Sequence, residues 1–215
     1  MSDMKIRLML LCALAMVVGG CKKTPSAEPS MPAEQKENVV PTVCLYTMGD
    51  VDSKLRRAMM DSLQAHDPRC EYAGNIGLPR EALTTKRNDH PRYRADLLNK
   101  VLGQYKSDST IVIGLTQADI GLDNFRNRPH SGIMGMAGGI GSGIAVFSSY
   151  RPHGYGQLFS VMLHEIGHAQ ELRHCKDTNC IMQNANGGNS LSKTDVLCDK
   201  CKDFMEARHW MLEHR

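Results

Sequence analysis

The chain has 215 residues, a formal net charge of +3 and 41% hydrophobic residues. This length suits one domain with a sizeable core, and the composition lies in the ordinary globular range. The small, dispersed excess of positive charge excludes nucleic acid as the expected partner.

The first residues predict an exported protein. Lys5 and Arg7 precede an apolar run over residues 8–18, which is too short to span a bilayer as a mature helix. The run ends in Val-Gly-Gly before Cys21, a sequence that resembles a bacterial lipobox, in which the cysteine is lipidated and becomes N-terminal. We therefore predict a lipoprotein signal peptide over residues 1–20. The lipidated Cys21 would hold the protein at a membrane of the bacterial cell envelope, on the periplasmic or surface side. An ordinary secretory signal cleaved nearby is the alternative, and it also exports the protein.

The segment after the predicted anchor has the composition of a tether. Residues 22–38 are mostly Thr, Pro, Ser, Ala, Glu, Gln and Lys, which supply too little apolar surface for a core. We predict that residues 21–38 form the lipidated cysteine and a flexible linker, and that residues 39–215 form a single domain.

The first half of this domain alternates predicted strands with predicted helices. β-branched and apolar runs mark the strands, helical periodicity marks the helices, and Asp52 or Ser53 is a suitable N-cap for the first helix. This order is typical of an α/β fold with parallel strands and right-handed crossovers. The predicted elements are a strand over 39–48, a helix to residue 66, a strand over 69–73, a helix over 92–106 and a strand over 109–116.

A glycine-rich stretch follows, with predicted strands over 131–137 and 143–149 joined by a flexible hairpin loop over 138–142. The alternative, a phosphate-binding loop, is disfavoured because no Lys-Ser or Lys-Thr follows and the next segment is a predicted strand. Beyond it we predict a helix over 155–170 and a closing amphipathic helix over 202–215.

The helix predicted over 155–170 carries the chemistry. His164 and His168 lie four residues apart, so their imidazoles stack one turn apart on one helix face. Both can reach one Zn²⁺ at ~2.0–2.1 Å, and Glu165 can act as general base toward a water on that metal. His174 becomes the third ligand if the chain turns after Gln170.

Six cysteines lie in the predicted domain. Cys44 and Cys70 fall in the first two predicted strands, where they form either a disulfide or two buried free thiols. The other four cluster after His174, and the C-x-x-C spacing of the last pair favours a metal site over two local disulfides. These four are Cys175, Cys180, Cys198 and Cys201.

The run H-E-I-G-H-A-Q-E-L-R-H-C-K-D-T-N-C-I-M, followed by C-D-K-C, resembles the archaemetzincins. These are small metzincin-like metallopeptidases with a four-cysteine zinc site beside the catalytic one. The resemblance implies a metzincin-like single domain of class α/β (α+β). Its twisted mixed sheet would have an edge strand, residues 131–137, over the cleft beside the active-site helix. It also implies two Zn²⁺ ions: one catalytic, on His164, His168 and His174 above the turn methionine Met182, and one structural, on Cys175, Cys180, Cys198 and Cys201.

The implied activity is hydrolysis of peptide bonds by a zinc-bound water that Glu165 activates. We expect a peptide or protein substrate and a monomer. One departure from the family pattern supports an alternative, a catalytically weak or inactive membrane-tethered zinc-binding protein. Glu171 stands where the family has glycine, and a left-handed backbone there costs a non-glycine residue roughly 1–2 kcal/mol. Otherwise the helix runs further and Glu171 joins the face of the two histidines.

Overall fold

The computed structural model of the chain describes residues 40–84, 90–123, 130–185, 191 and 196–212. All of them belong to one compact unit, Asn38–Arg215. The predicted signal peptide, the lipidated Cys21 and the linker lie outside the described residues. Among the helices in the described part of the chain, none has the length and apolar character needed to cross a membrane.

The described residues form nine β-strands and four α-helices. The strands are β1 Thr42–Met48, β2 Glu71–Ile76, β3 Leu83–Thr84, β4 Arg92–Arg94, β5 Thr110–Thr116, β6 Ile120–Leu122, β7 Ser131–Ile133, β8 Gly135–Ala137 and β9 Ile144–Ser148. The helices are α1 Ser53–His66, α2 Ala95–Leu102, α3 Tyr155–Ala169 and α4 Asp199–Glu206.

Two sheets share these strands. The larger sheet has the order β2-β1-β5-β9-β8, in which four strands are parallel and the edge strand β8 is antiparallel to β9. The smaller sheet has the order β3-β4-β6-β7. A mixed sheet with helical crossovers confirms the predicted α/β class, and β8 is the last part of the edge strand predicted over 131–137.

Several predicted elements are correct and others need correction. Helix α1 begins and ends where predicted. It begins there because the Asp52 side chain caps the backbone N–H groups of Lys54 and Leu55, and it ends before Asp67, whose backbone is extended. The single helix predicted over 92–106 is wrong at its start. Its first three residues, Arg92–Arg94, form the strand β4, which pairs with β6. A buried ion pair between Arg92 Nε and Asp119 Oδ2, 2.7 Å apart, also stabilises this position.

Further boundaries also differ from the prediction. The strand predicted over 69–73 is β2, which begins at Glu71 and extends to Ile76. The strand predicted over 131–137 divides into β7 and β8, which belong to different sheets. The closing helix predicted over 202–215 is α4, which starts three residues earlier and ends at Glu206. It ends there because His209 adopts a left-handed conformation with φ of 71°.

Cys44 and Cys70 are free thiols in the structure, so the disulfide considered for them is not formed. Side chains alternate across β1, and Val43 and Leu45 pack with Cys70 in the core on the α1 and α3 side of the sheet. Cys44 points to the opposite face, where its thiol donates a hydrogen bond to the Glu71 carboxylate at 3.3 Å. The intervening sheet separates the two sulfur atoms.

Candidate metal and catalytic site

Three imidazoles converge beside the edge strand. His164 and His168 lie one turn apart on α3, with their Nε2 atoms separated by 3.0 Å, and the Nε2 of His174 lies 3.2 Å from that of His168. Three nitrogen atoms around a tetrahedral Zn²⁺ with bonds of ~2.0–2.1 Å are about 3.3 Å apart. The three-histidine site therefore has the spacing that a zinc ion requires.

Backbone carbonyls fix the orientation of two of these rings. The Nδ1 of His164 donates to Ile181 O at 2.6 Å, and the Nδ1 of His168 donates to Leu172 O at 2.7 Å. A carbonyl only accepts, so the proton lies on Nδ1 and the Nε2 lone pair faces the site.

Burial keeps the three imidazoles in the form that binds metals. Desolvation, with the neighbouring His168, lowers the pKa of His164 to about 4. Desolvation also lowers the pKa of His168 and of His174. All three rings are therefore neutral at neutral pH, and neutral imidazole is the metal ligand.

The third histidine reaches the site because α3 ends in a tight reversal. The N–H of Leu172 donates to Gly167 O at 2.8 Å and the N–H of Glu171 donates to His168 O at 3.1 Å, which is the Schellman pattern. Glu171 has a φ of 80°, so the chain reverses here through a left-handed residue. Of the two conformations considered for Glu171, the structure has the left-handed one, and the helix does not run further.

Glu165 is buried against the edge strand β8. Its exposed fraction is 8%, and burial raises the pKa of its carboxyl to about 8, although a backbone hydrogen bond from Ala137 partly offsets the shift. A Cβ atom placed on Gly135 would lie 2.7 Å from Glu165 Cγ and 2.9 Å from Val161 Cγ1. Glycine at position 135 therefore makes the space in which the Glu165 side chain lies.

The four clustered cysteines form a second potential metal site. The sulfur atoms of Cys175, Cys180, Cys198 and Cys201 all lie within 4.8 Å of one another, and Cys175 and Cys198 are 3.7 Å apart. Four thiolates around Zn²⁺ with bonds of ~2.3 Å are about 3.8 Å apart. All four are free thiols, so the two local disulfides considered as an alternative are not formed. Backbone N–H groups of Asp177, Met182 and Cys198 donate to the sulfur atoms of this cluster.

Met182 connects the two potential sites. It is fully buried beneath α3, where a Cβ atom on Gly167 would lie 3.0 Å from Met182 Sδ. Its backbone carbonyl accepts a hydrogen bond from Cys175 N at 2.8 Å. Because His174 and Cys175 are consecutive, one peptide bond joins the three-histidine site to the four-cysteine site.

Sequence reasoning missed the role of the loop between β8 and β9, which we predicted as a flexible hairpin connection. The N–H of Gly141 donates to His168 O at 2.8 Å, and that of Gly143 donates to Ala169 O at 3.0 Å. The loop therefore caps the last carbonyls of α3 from outside the helix. Its alternating glycines at 139, 141 and 143 were the available signal, since all three have positive φ.

A mixed sheet thus lies beside a helix that presents two histidines, and the reversal after this helix supplies the third. The sequence is 25% identical over 178 residues to archaemetzincin of Methanocaldococcus jannaschii, covering 77% of this chain and 93% of the relative. No protein-family model matches the chain.

Solved structures show the same fold. Archaemetzincin from Methanopyrus kandleri superposes with a TM-score of 0.63 at 20% identity, covering 80% of this chain and 96% of that one. Archaemetzincin from Archaeoglobus fulgidus, complexed with malonate, gives 0.59 at 19% identity, covering 76% and 99%. A zinc-dependent peptidase from Methanocorpusculum labreanum gives 0.55 at 20% identity, also covering 76% and 99%. Archaemetzincins are thus homologues of this chain in sequence and share its fold, as the motif indicated.

Proposed function

We propose that this protein is a zinc-dependent peptidase that hydrolyses peptide bonds. The observation that carries the proposal is the convergence of three neutral imidazoles, with Nε2 separations of 3.0 and 3.2 Å, beside the buried carboxyl of Glu165. The similarity to archaemetzincins and to a protein described as a zinc-dependent peptidase supports it.

The three histidines and Glu165 have separate roles in this reaction. His164, His168 and His174 hold the ion, and a bound Zn²⁺ supplies Lewis acidity toward a water molecule and the scissile carbonyl. Glu165 accepts the proton of the attacking water and delivers it to the leaving amine. Burial, partly offset by the hydrogen bond from Ala137, raises the pKa of Glu165 to about 8. A cation beside Glu165 would stabilise the carboxylate and favour the ionised base at neutral pH.

The edge strand β8 provides a surface for an extended substrate. Met134 and Gly138 form backbone hydrogen bonds with β9, so the alternating residues Gly135 and Ala137 direct their backbone groups away from it. The Ala137 N–H donates to the Glu165 carboxyl, so an extended peptide can pair as an added strand with the Gly135 backbone groups and the Ala137 carbonyl, next to Glu165. This placement favours a peptide or protein substrate.

Two further parts of the proposal concern the second ion and the location. The four-cysteine site has the donor set and spacing of a structural Zn²⁺ site, which would raise the total to two ions. The location rests on the sequence alone: Cys21 after a short apolar run supports a lipid anchor that tethers the domain in the bacterial cell envelope.

Removal of the metal tests the proposal. The purified full-length protein should contain two zinc ions and cleave members of a peptide library. A chelator should abolish cleavage, and added Zn²⁺ should restore it. Two bound ions without cleavage of any peptide would contradict the peptidase and favour the alternative, a membrane-tethered zinc-binding protein. Cleavage that persists in fully zinc-free protein would also contradict it.

We expect Gly135→Ala to impair catalysis without removing zinc. The added methyl group would overlap Glu165 Cγ and displace the carboxylate, and a misplacement of about 1 Å can lower a rate roughly a hundredfold. We therefore expect kcat to fall at least about tenfold at unchanged zinc content. Gly156→Ala is the matched control, because a Cβ atom there meets nothing within 4 Å. Equal activity of both variants would show that Gly135 does not position Glu165.

A further inference from the structure

The reversal at Glu171 is strained, and it sets the positions of two of the three histidines, His168 and His174. Glu171 is not glycine, yet its φ is 80°, a conformation that costs a side chain roughly 1–2 kcal/mol. Its carboxylate gains little in return, because the side chain is 72% exposed and its nearest cation, on Arg208, is 3.6 Å away. The reversal presents Leu172 O to His168 and leads directly to His174. Something else must hold the turn in this geometry.

Three hydrogen bonds from outside α3 engage the last residues before the turn. Backbone N–H groups of the glycine loop donate to His168 O and Ala169 O. The next residue, Gln170, accepts from the indole Nε1 of Trp210 at 3.0 Å, and this bond is buried, with Gln170 6% and Trp210 2% exposed. If this bond were broken, a buried polar group would be left without a partner, which is unfavourable. The bond therefore favours the geometry in which it forms. Of the three bonds, this is the one that a side-chain substitution can remove.

The C-terminal segment that carries Trp210 is itself anchored on both sides. The N–H of Trp210 donates to Met205 O at 3.2 Å, which closes a second reversal at the end of α4 through the left-handed His209. The N–H of Met211 donates to His66 O at 2.6 Å, at the end of α1. Trp210 therefore donates to Gln170 from a fixed position between two helix ends.

We propose that Gln170 and Trp210 are positioning residues of the three-histidine metal site. Their buried hydrogen bond offsets the strain of Glu171 and keeps the reversal in the geometry that presents His168 and His174 to the ion. This inference rests on the proposed metal site. It adds a reason why the turn forms although position 171 is glutamate and not glycine. It predicts that Trp210 matters to zinc binding only while residue 171 is strained.

A double-mutant cycle on the full-length protein tests this. Zn²⁺ affinity is measured by competition with a chelator, and Co²⁺ spectra distinguish imidazole from thiolate coordination, so each site is followed separately. We expect Trp210→Phe to weaken the three-histidine site about tenfold and to leave the four-cysteine site unchanged. Glu171→Gly should bind at least as tightly as the parent protein. In the Glu171→Gly background, Trp210→Phe should weaken binding by less than about twofold.

Two comparisons separate positioning from general stability. Tyr155→Phe removes a hydrogen bond to Ala58 O from the other end of α3, and it should lower thermal stability without changing zinc affinity. If Trp210→Phe does not fold, Gln170→Met removes the acceptor at similar volume and takes its place in the cycle. An equal loss of affinity in both backgrounds, or an equal loss at both metal sites, would overturn the inference. The zinc-affinity measurements need no peptide substrate. Absence of peptide cleavage would therefore contradict only the proposed function, and absence of coupling between Trp210 and Glu171 would contradict only this inference.

Discussion

Glu165→Gln should lower peptide cleavage at least about a hundredfold while the protein keeps both zinc ions. The amide has the size of the carboxyl and can still accept the hydrogen bond from Ala137, so the fold and the three histidines should be undisturbed. It cannot accept the proton of the attacking water, and loss of a general base costs roughly 10²–10⁴ in rate. The measurement is kcat/KM on a peptide substrate alongside zinc content by elemental analysis.

Glu81→Gln is the matched control for this loss, because the same substitution falls on an exposed residue in a 3₁₀ turn distant in sequence from the site. It should cleave as the parent protein does. Equal activity of Glu165→Gln and the parent protein would eliminate Glu165 as the base. A loss of zinc from Glu165→Gln would mean that the carboxyl supports the ion rather than the proton transfer.

Cys201→Ser should remove the structural zinc and destabilise the whole domain. Cys201 is 3% exposed and contributes one of four clustered sulfur atoms, and a hydroxyl is a poor replacement for a thiolate ligand. Binding of structural zinc contributes directly to folding, so we expect a loss of at least about 3 kcal/mol, or a melting temperature lower by about 10 °C. Because His174 precedes Cys175, the three-histidine site should also bind zinc at least about tenfold more weakly.

Cys44→Ser provides the comparison for a buried cysteine outside the cluster. Its thiol donates to the Glu71 carboxylate, and a serine hydroxyl can make the same hydrogen bond. We expect this variant to keep both ions and to lose no more than about 1 kcal/mol. If Cys201→Ser also retained two zinc ions and the parent stability, the four cysteines would not be a structural metal site.

The features that the sequence predicted are those with a local cause. Helix α1 follows from one capping aspartate and helical periodicity, and α3 follows from its apolar face. The four-residue spacing of His164 and His168 places both rings on one side of any α-helix, whatever surrounds it. Local rules of this kind act within a few residues and therefore hold before the tertiary structure is known.

The features that the sequence did not predict depend on distant partners. Residues 92–94 have a helical pattern, but pairing with β6 and the ion pair with Asp119 make them a strand. Cys44 lies in β1 and Cys70 immediately precedes the neighbouring strand β2, yet which face each thiol occupies depends on the register of the sheet. The conformation of Glu171 likewise follows from contacts made by the glycine loop and Trp210, which are remote in sequence.

Anomalous diffraction at the zinc edge, from crystals of the zinc-loaded protein, tests the central claim most directly. We predict two peaks: one about 2.0–2.1 Å from the Nε2 atoms of His164, His168 and His174, and one about 2.3 Å from the sulfur atoms of the four clustered cysteines. A map in which His174 turns away and no ion lies between the two helical histidines would contradict the account.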